Sequence, residues 1–237
     1  MIHEPGMTSV SSVVAAAHEL KSPFALVRQL LLRLESPDLS DAQREKAVRQ
    51  ALMTAERGLR LTSDITKAAR LDEGALFSLE PVNPEQICQD IVGELTPLFE
   101  AHGRTVHVKT RKHPLLLVAN RDLLRRILLG FSDNALHYSS AGSPVHMQIT
   151  ALKKAGVVRV GVRDYGPALS SDLWATLQKK IKLAPQPVHA RPESSGLGLM
   201  LAQQFAEVMN GEIGVVRHKD GATFYVDLQA STQLSLL

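Results

Sequence analysis

The sequence is poor in cysteine and aromatic residues, and it has no long apolar run. Cys88 is the single cysteine among 237 residues, so an intrachain disulfide is excluded, and its apolar helical context predicts core packing. No segment approaches the roughly 20 apolar residues of a membrane helix, and no signal-peptide pattern opens the chain. We therefore expect a cytoplasmic protein without a membrane segment. A net charge of +3 is too small to predict nucleic-acid binding.

Two long helical patterns open the chain. Apolar residues recur at steps of three and four from Val10 to Leu34, and a second pattern runs from about residue 42 to 70. Between them, Pro37 stops the first helix, and Ser40 or Asp41 can cap the second. Because the connection is short, the two helices form an antiparallel hairpin. A hairpin alone cannot bury both apolar stripes, so residues 1–74 are predicted to dimerise into a four-helix bundle.

The remaining chain, residues 75–237, mixes helices and strands without strict alternation. Helical patterns cover about 84–102 and 121–138, and a last helix follows Gly198. Alternating apolar patterns predict strands at TVHVKT, LLLVAN, VHMQITAL, GVVRVGVRD, EIGVVRH and ATFYVDL. The stretch 168–195 contains Pro, Lys and Ser and predicts a mobile loop. We therefore expect an α/β sandwich as the second domain.

His18 lies in the stretch HELKSP, beside Glu19 and four residues before Ser22. Imidazole has an ordinary pKa near 6.5, so its neutral, nucleophilic form is available at cellular pH. Glu19 can fix the ring tautomer and accept the proton that the ring releases. Pro23 removes one backbone hydrogen bond, so the helix is expected to loosen one turn beyond His18. Taken alone, His18 could equally be a surface residue of an ordinary helix.

A second chemical feature is SGLGL at 195–199, a helix start that contains two glycines. Backbone N–H groups and the helix dipole favour phosphate at such a position. Gly196 and Gly198 allow a close backbone approach that a side chain would block. The candidate phosphate-binding residues here are Ser195, Gly196, Leu197 and Gly198.

Four blocks, taken in order, resemble the sensor histidine kinases of two-component signalling. They are HELKSP at 18–23, FSDNALHYS at 131–139, RDYGPA at 163–168 and SSGLGLMLAQQFAEVMNGEI at 194–213. The linker ARLDEG at 69–74 is also similar to the family's exit from its second bundle helix. The resemblance implies a dimerisation and phosphoacceptor hairpin of the HisKA type, followed by an ATP-binding domain of the Bergerat or GHKL type.

The resemblance also implies a reaction. Such a chain binds ATP with Mg²⁺, autophosphorylates His18 and passes the phosphoryl group to an aspartate on the receiver domain of a response regulator. By the same resemblance, Asn134 is the Mg²⁺ ligand, since this hard cation takes oxygen donors alongside phosphates. Ser22 stands where a Thr or Asn in the family is associated with dephosphorylating the partner.

The same likeness assigns the residues around the nucleotide. Asp164 resembles the carboxylate that accepts a hydrogen bond from the adenine amino group, with Gly166 in the following turn. His137 and Tyr138 would then lie near the triphosphate.

Four positions depart from the family's pattern. Gly130 stands where many members have asparagine, His137 where they have lysine, and Ala168 and Ser194 each replace a glycine. Together these changes favour a nucleotide site that is weaker or differently tuned. Two alternatives therefore stay open. One is a degenerate scaffold that acts as phosphotransferase or phosphatase on a response regulator without ATP hydrolysis. The other is a dimerisation module that binds a regulator without chemistry.

Overall fold

The structure, a computed structural model, describes residues 10–72, 77–109, 116–152, 156–181 and 197–232. Its first two elements are the long helices α1 (Val10–Leu34) and α2 (Asp41–Asp72). The elements that follow are β1 (Glu80–Val82), α3 (Pro84–Ala101), β2 (Thr105–Lys109), β3 (Leu117–Ala119), α4 (Arg121–Tyr138), β4 (Pro144–Ala151), β5 (Val157–Arg163), α5 (Ser171–Ile181), α6 (Leu197–Val208), β6 (Glu212–His218) and β7 (Gly221–Gln229).

Helices α1 and α2 pack along each other as the predicted hairpin. Ser40 begins α2 with a capping box, because its hydroxyl accepts from Gln43 N at 3.3 Å while its own N–H donates to Gln43 Oε1 at 3.0 Å. Near this turn, Leu30 packs with the small residues Ala47 and Ala51. Pro23 lies inside α1, which remains helical on both sides of it.

The hairpin leaves many large apolar side chains in solvent. Phe24 is 63% exposed and Leu59 is 70% exposed, although their spacing belongs to the apolar stripes. The other exposed apolar residues of α1 and α2 are Val14, Leu26, Leu31, Leu32, Val48 and Leu52. None of the described helices combines the length and the apolar character that crossing a membrane demands. Large apolar side chains gathered on the surface in this way are typical of an interaction surface.

A five-stranded mixed sheet forms the centre of the second half of the chain, in the order β2-β4-β5-β7-β6. The β2–β4 pair is parallel and the other pairs are antiparallel. β1 and β3 form a separate two-stranded sheet that joins the end of β7 through a bridge between Leu117 and Ala230. A helical hairpin followed by a mixed sheet with helices confirms the predicted fold class. The predicted boundary near residue 74 falls among residues 73–76, outside the described ranges, and stays a prediction.

The core lies between the sheet and helices α3, α4 and α6. Alternate residues along each strand face these helices, as Val145 and Met147 of β4 show by being fully buried. Cys88 of α3 is buried in the same core, as predicted, and burial raises the pKa of its thiol to about 12. A thiol that stays protonated is unreactive, which agrees with a packing role.

The prediction of a loop over 168–195 is wrong for its first part, which contains helix α5. Ser170 begins this helix by accepting a hydrogen bond from Leu173 N at 3.2 Å. Leu177 and Ile181, four residues apart, are buried against the rest of the domain. The Pro and Lys content of the whole stretch obscured this capped, periodic segment. The remainder of the predicted loop, 182–195, lies outside the described residues.

Candidate functional site

One face of α4 carries the polar residues that the sequence singled out. Gly130, Asn134 and Tyr138 follow one another at intervals of four, and Asn134 is half-buried. Gly130 and Asn134 line a cleft of about 110 Å³ together with Gly198 at the start of α6. A side-chain carbon added at Gly130 would meet no atom within 4 Å. The structure therefore brings the candidate metal ligand and the helix start together and leaves open space between them.

Asp164 lies directly after β5 and is only 2% exposed. Its Oδ1 accepts hydrogen bonds from Gly166 N at 3.2 Å and from Ala222 N at 3.3 Å. Its backbone N–H donates to Ala222 O at 3.0 Å. The carboxylate is thus fixed by the first residues of β7 and by its own turn, which gives it one orientation.

Gly166 joins this turn to the end of α4. A side-chain carbon at position 166 would overlap the carbonyl oxygen of Tyr138, so only glycine allows the two segments to approach this closely. Next to this contact, Ser140 N donates to Tyr165 O at 3.1 Å. The turn after β5 and the last turn of α4 therefore form one rigid unit.

Sequence reasoning missed two buried polar residues beside Asp164. The guanidinium of Arg163 donates to the carbonyl oxygen of Asp164 and to Asp220 Oδ1, and it lies 4.2 Å from the ring centre of Tyr165. Thr223 pairs with Arg163 across the strands, and its hydroxyl lies 2.8 Å from His218 Nε2. A charged residue at the end of the apolar run VVRVGVR was the available signal for Arg163.

The candidate phosphoacceptor segment lies on α1, facing the second half of the chain only in part. Glu19 and Ser22 line a cleft of about 520 Å³ that also contains Asn134, His137 and Tyr138. His18 is exposed, and it is not among the described residues that line this cleft. The neighbours of His18, rather than His18 itself, meet the α4 face in this arrangement.

Helix α6 is described from Leu197 onward, two residues before the predicted helix that follows Gly198. Leu197 is buried and Gly198 is exposed toward the cleft. The other two candidates of this glycine-containing turn, Ser195 and Gly196, lie outside the described residues, as does Ser194.

Comparisons with known proteins agree with this geometry. Residues 119–232 match the family described as "Histidine kinase-, DNA gyrase B-, and HSP90-like ATPase". Histidine protein kinase SaeS of Staphylococcus epidermidis is 26% identical over 215 residues, which cover 90% of this chain and 61% of SaeS. Sensor protein kinase PmrB of Pseudomonas aeruginosa is 27% identical over 210 residues, covering 87% of this chain and 42% of PmrB. Over most of its length the chain is therefore similar to sensor histidine kinases.

Solved structures of histidine kinases share the fold of this chain. Full-length ShkA in complex with AMPPNP has a TM-score of 0.61 and 26% identity over 96% of this chain and 47% of its own. Acinetobacter baumannii histidine kinase AdeS has a TM-score of 0.60 at 15% identity, covering 90% of this chain and 97% of AdeS. The chain spans about three-fifths of the length of SaeS and less than half of the length of PmrB.

In this chain, one face of α2 docks on the second half of the molecule through four ion pairs. The α2 residues stand at steps of three and four, which places them on one side of the helix. From α2 outward, the pairs are Arg57–Asp133 at 3.6 Å, Arg60–Glu94 at 3.8 Å, Asp64–Arg126 at 3.2 Å and Lys67–Asp122 at 3.5 Å. Helices α3 and α4 supply the partners.

Asp64 is the most buried carboxylate of these four pairs, with 18% of its side chain exposed. Desolvation raises the pKa of Asp64 to about 6, although Arg126, Lys67 and Arg60 act in the opposite direction and Asp133 adds to the rise. In the unfolded chain, the pKa of this carboxyl is near its ordinary value of 3.8. Between these two values the folded state binds more protons than the unfolded state. The contribution of Asp64 to stability therefore decreases as the pH rises through this window.

We expect Asp64→Asn to change how stability depends on pH. The amide cannot ionise, so the variant should lack the loss of about 2 kcal/mol that wild type undergoes between about pH 4 and pH 6. Urea unfolding at pH 4.5 and pH 7 measures this difference. Asp122→Asn, which removes an exposed carboxylate of the same interface, is the control and should keep the wild-type slope. If Asp64→Asn changes the free energy of unfolding equally at both pH values, the raised pKa assigned to Asp64 is wrong.

His137 occupies the place where the family commonly has lysine, and it does not replace that charge. Desolvation lowers the pKa of His137 below its ordinary value, and Arg57 lowers it further, while Asp133 partly offsets both effects. The imidazole is therefore neutral at pH 7. Among the described residues that line this cleft, the fixed positive charges come from other parts of the chain, namely Arg57 and Arg60 of α2 and Arg104.

Proposed function

We propose that this chain is the core of a protein-histidine kinase, which binds ATP in its second half and phosphorylates His18. The observation that carries the proposal is the shared cleft in which Glu19 and Ser22 of α1 meet Asn134, His137 and Tyr138 of α4. This arrangement supports a site in which α1 supplies the phosphoacceptor and α4 contacts the nucleotide. The names of the relatives and the match to the ATPase family support the same conclusion.

Different residues bind different parts of the nucleotide and its metal ion in this proposal. Asp164, held by two backbone N–H groups, presents its carboxylate in one orientation to the adenine amino group. Gly198 at the start of α6 offers backbone donors for phosphate. Asn134 would hold Mg²⁺ through its amide oxygen, with phosphates and water completing the shell. When bound, the ion neutralises charge on the phosphates.

The transfer step itself uses α1. A neutral ring nitrogen of His18 forms a bond to the γ-phosphorus, the bond from that phosphorus to the bridging oxygen breaks, and ADP leaves. Glu19 is proposed to accept the proton that the imidazole releases, and it is half-buried at the cleft wall. Because His18 is exposed beside the cleft, the second half of the chain must shift along α1 before the reaction.

We further propose that phosphohistidine donates to an aspartate on the receiver domain of a response regulator in the cytoplasm. Ser22 is exposed in the same cleft, one turn beyond His18. Its hydroxyl can orient a water toward a phosphorylated partner, which supports a second activity as a response-regulator phosphatase.

The working state is proposed to be a homodimer through the hairpin. Phe24, Leu52 and Leu59 stand on the exposed apolar stripes of α1 and α2, and a second hairpin would bury them in a four-helix bundle. Sedimentation of the full chain should give twice the monomer mass, and Leu59→Glu should shift the equilibrium toward monomer. A monomeric wild-type chain at micromolar concentration would exclude this assembly.

The kinase proposal is tested by incubating the full chain with ATP labelled at the γ-phosphate. We expect label to enter the protein with Mg²⁺ present and to stay out of it when the metal is removed by EDTA. ATP labelled at the α-phosphate should give no labelled protein, because only the terminal phosphoryl group is transferred. If ATP labelled at the γ-phosphate also gives no labelled protein when Mg²⁺ is present, the result would favour the scaffold without ATP hydrolysis.

A further inference from the structure

Arg57 lies where helix α2 crosses the candidate phosphate region of α4. Its Nε is 3.6 Å from Oδ2 of Asp133, the residue directly before Asn134. Arg57 also lines both clefts that contain Asn134, and Glu19 lines both of them as well. A single side chain of the hairpin therefore adjoins both the candidate metal ligand and the neighbour of the phosphoacceptor.

The guanidinium of Arg57 is free to change partner. Its side chain is 47% exposed and makes a single, long contact with Asp133, and a half-exposed pair of this kind is weak. Arg60 is oriented differently, since it pairs with Glu94 of α3. Arg104, on another wall of the larger cleft, is held by a hydrogen bond to Ser139 O at 2.6 Å. Of these three arginines, Arg57 can turn toward a ligand at Asn134 with the smallest loss of existing contacts.

The part of α4 around Asn134 lacks a fixed positive charge, because the arginine of α4 on this face, Arg126, lies two turns away and pairs with Asp64. The imidazole of His137 is neutral at pH 7, partly because Arg57 lies close to it. A triphosphate carries most of its charge on the distal phosphates, and a guanidinium binds phosphate oxygens through two parallel N–H donors. A cation supplied by α2 would therefore complete a site that α4 leaves incomplete.

We propose that Arg57 binds the terminal phosphates of ATP and so makes ATP affinity depend on docking of α2 against α4. This inference rests on the proposed function, because it requires the phosphates to lie near Asn134. Arg57 acts here as a specificity-determining residue, since ADP has no γ-phosphate for it to hold. ATP binding and docking of the hairpin then stabilise each other by linkage.

Calorimetry on the full chain with Mg²⁺ tests this proposal by comparing ATP with ADP. We expect Arg57→Gln to weaken ATP binding about tenfold and ADP binding by less than about threefold, because only ATP loses a charge-assisted contact. Arg57→Lys should retain most of the ATP affinity. Lys67→Gln removes an ion pair of the α2 face whose carboxylate partner, Asp122, is 73% exposed, so it should disturb docking little and leave the ATP-to-ADP ratio unchanged.

A second variant separates a charge effect from a loss of docking. The double variant Arg57→Gln, His137→Lys returns a fixed charge to the α4 face and should restore ATP affinity to within about threefold of wild type. An equal loss of ATP and ADP affinity in Arg57→Gln, or no loss of either, would overturn the role of Arg57. So would failure of the added lysine to restore ATP binding.

Asp164→Asn distinguishes failure of this inference from failure of the proposed function. If Asp164→Asn weakens both nucleotides while Arg57→Gln changes neither, the nucleotide site stands and the role of Arg57 is wrong. If wild type binds neither ATP nor ADP, the nucleotide site and the inference are both wrong.

Discussion

Replacement of His18 by alanine is expected to abolish incorporation of the γ-phosphoryl group from ATP. Alanine has no nucleophilic nitrogen, so the bond to phosphorus cannot form, and a loss of more than about a thousandfold is the expected scale for removing the attacking group. The label on wild type should be labile in acid and stable in base, as expected of phosphohistidine. Because His18 is exposed, the substitution should leave the unfolding midpoint unchanged.

The controls for His18→Ala are variants of residues that line the shared cleft. His137→Ala removes a second imidazole from the α4 face and should retain part of the labelling. Glu19→Gln keeps the shape of the side chain but cannot accept a proton, so it should slow labelling without moving it to another residue. Equal labelling of His18→Ala and wild type would show that the acceptor lies elsewhere.

Replacement of Gly166 by alanine should weaken nucleotide binding and remove a large part of the stability. The added methyl group overlaps the backbone carbonyl of Tyr138, and a backbone atom can move only with its segment. Separating the turn from α4 would also break the hydrogen bond from Gly166 N to Asp164 Oδ1. We expect a loss of about 3 kcal/mol in the free energy of unfolding, and about tenfold weaker binding of ATP and ADP alike.

Urea unfolding and calorimetry on the same preparation measure the two effects of Gly166→Ala. Gly93→Ala is the matched control, because Gly93 lies inside helix α3 with no atom near the added carbon. It should gain up to about 1 kcal/mol from the better helix propensity of alanine and leave both affinities unchanged. Wild-type stability of Gly166→Ala would mean that the close contact between the turn and α4 is absent in solution.

The parts of the candidate site that lie within one helix or one turn could be predicted from the sequence. The spacing of Gly130, Asn134 and Tyr138 places them on one helical face, and α4 has the predicted bounds. The turn after β5 could likewise be recognised from RDYGPA. Arg57 could not be assigned in this way, since it stands 77 residues before Asn134 and its helical position alone predicts a solvated face.

Local sequence determined the helices, most strands and the segments of the site, because helix periodicity, strand alternation and caps depend on neighbouring residues. The missed helix α5 had such signals as well. Only the tertiary structure decided which charges meet. The partners of Arg57, Asp64 and Lys67 come from distant helices, and burial at that contact raises the pKa of Asp64. Desolvation and long-range pairing arise when elements pack together, so no short stretch of sequence contains them.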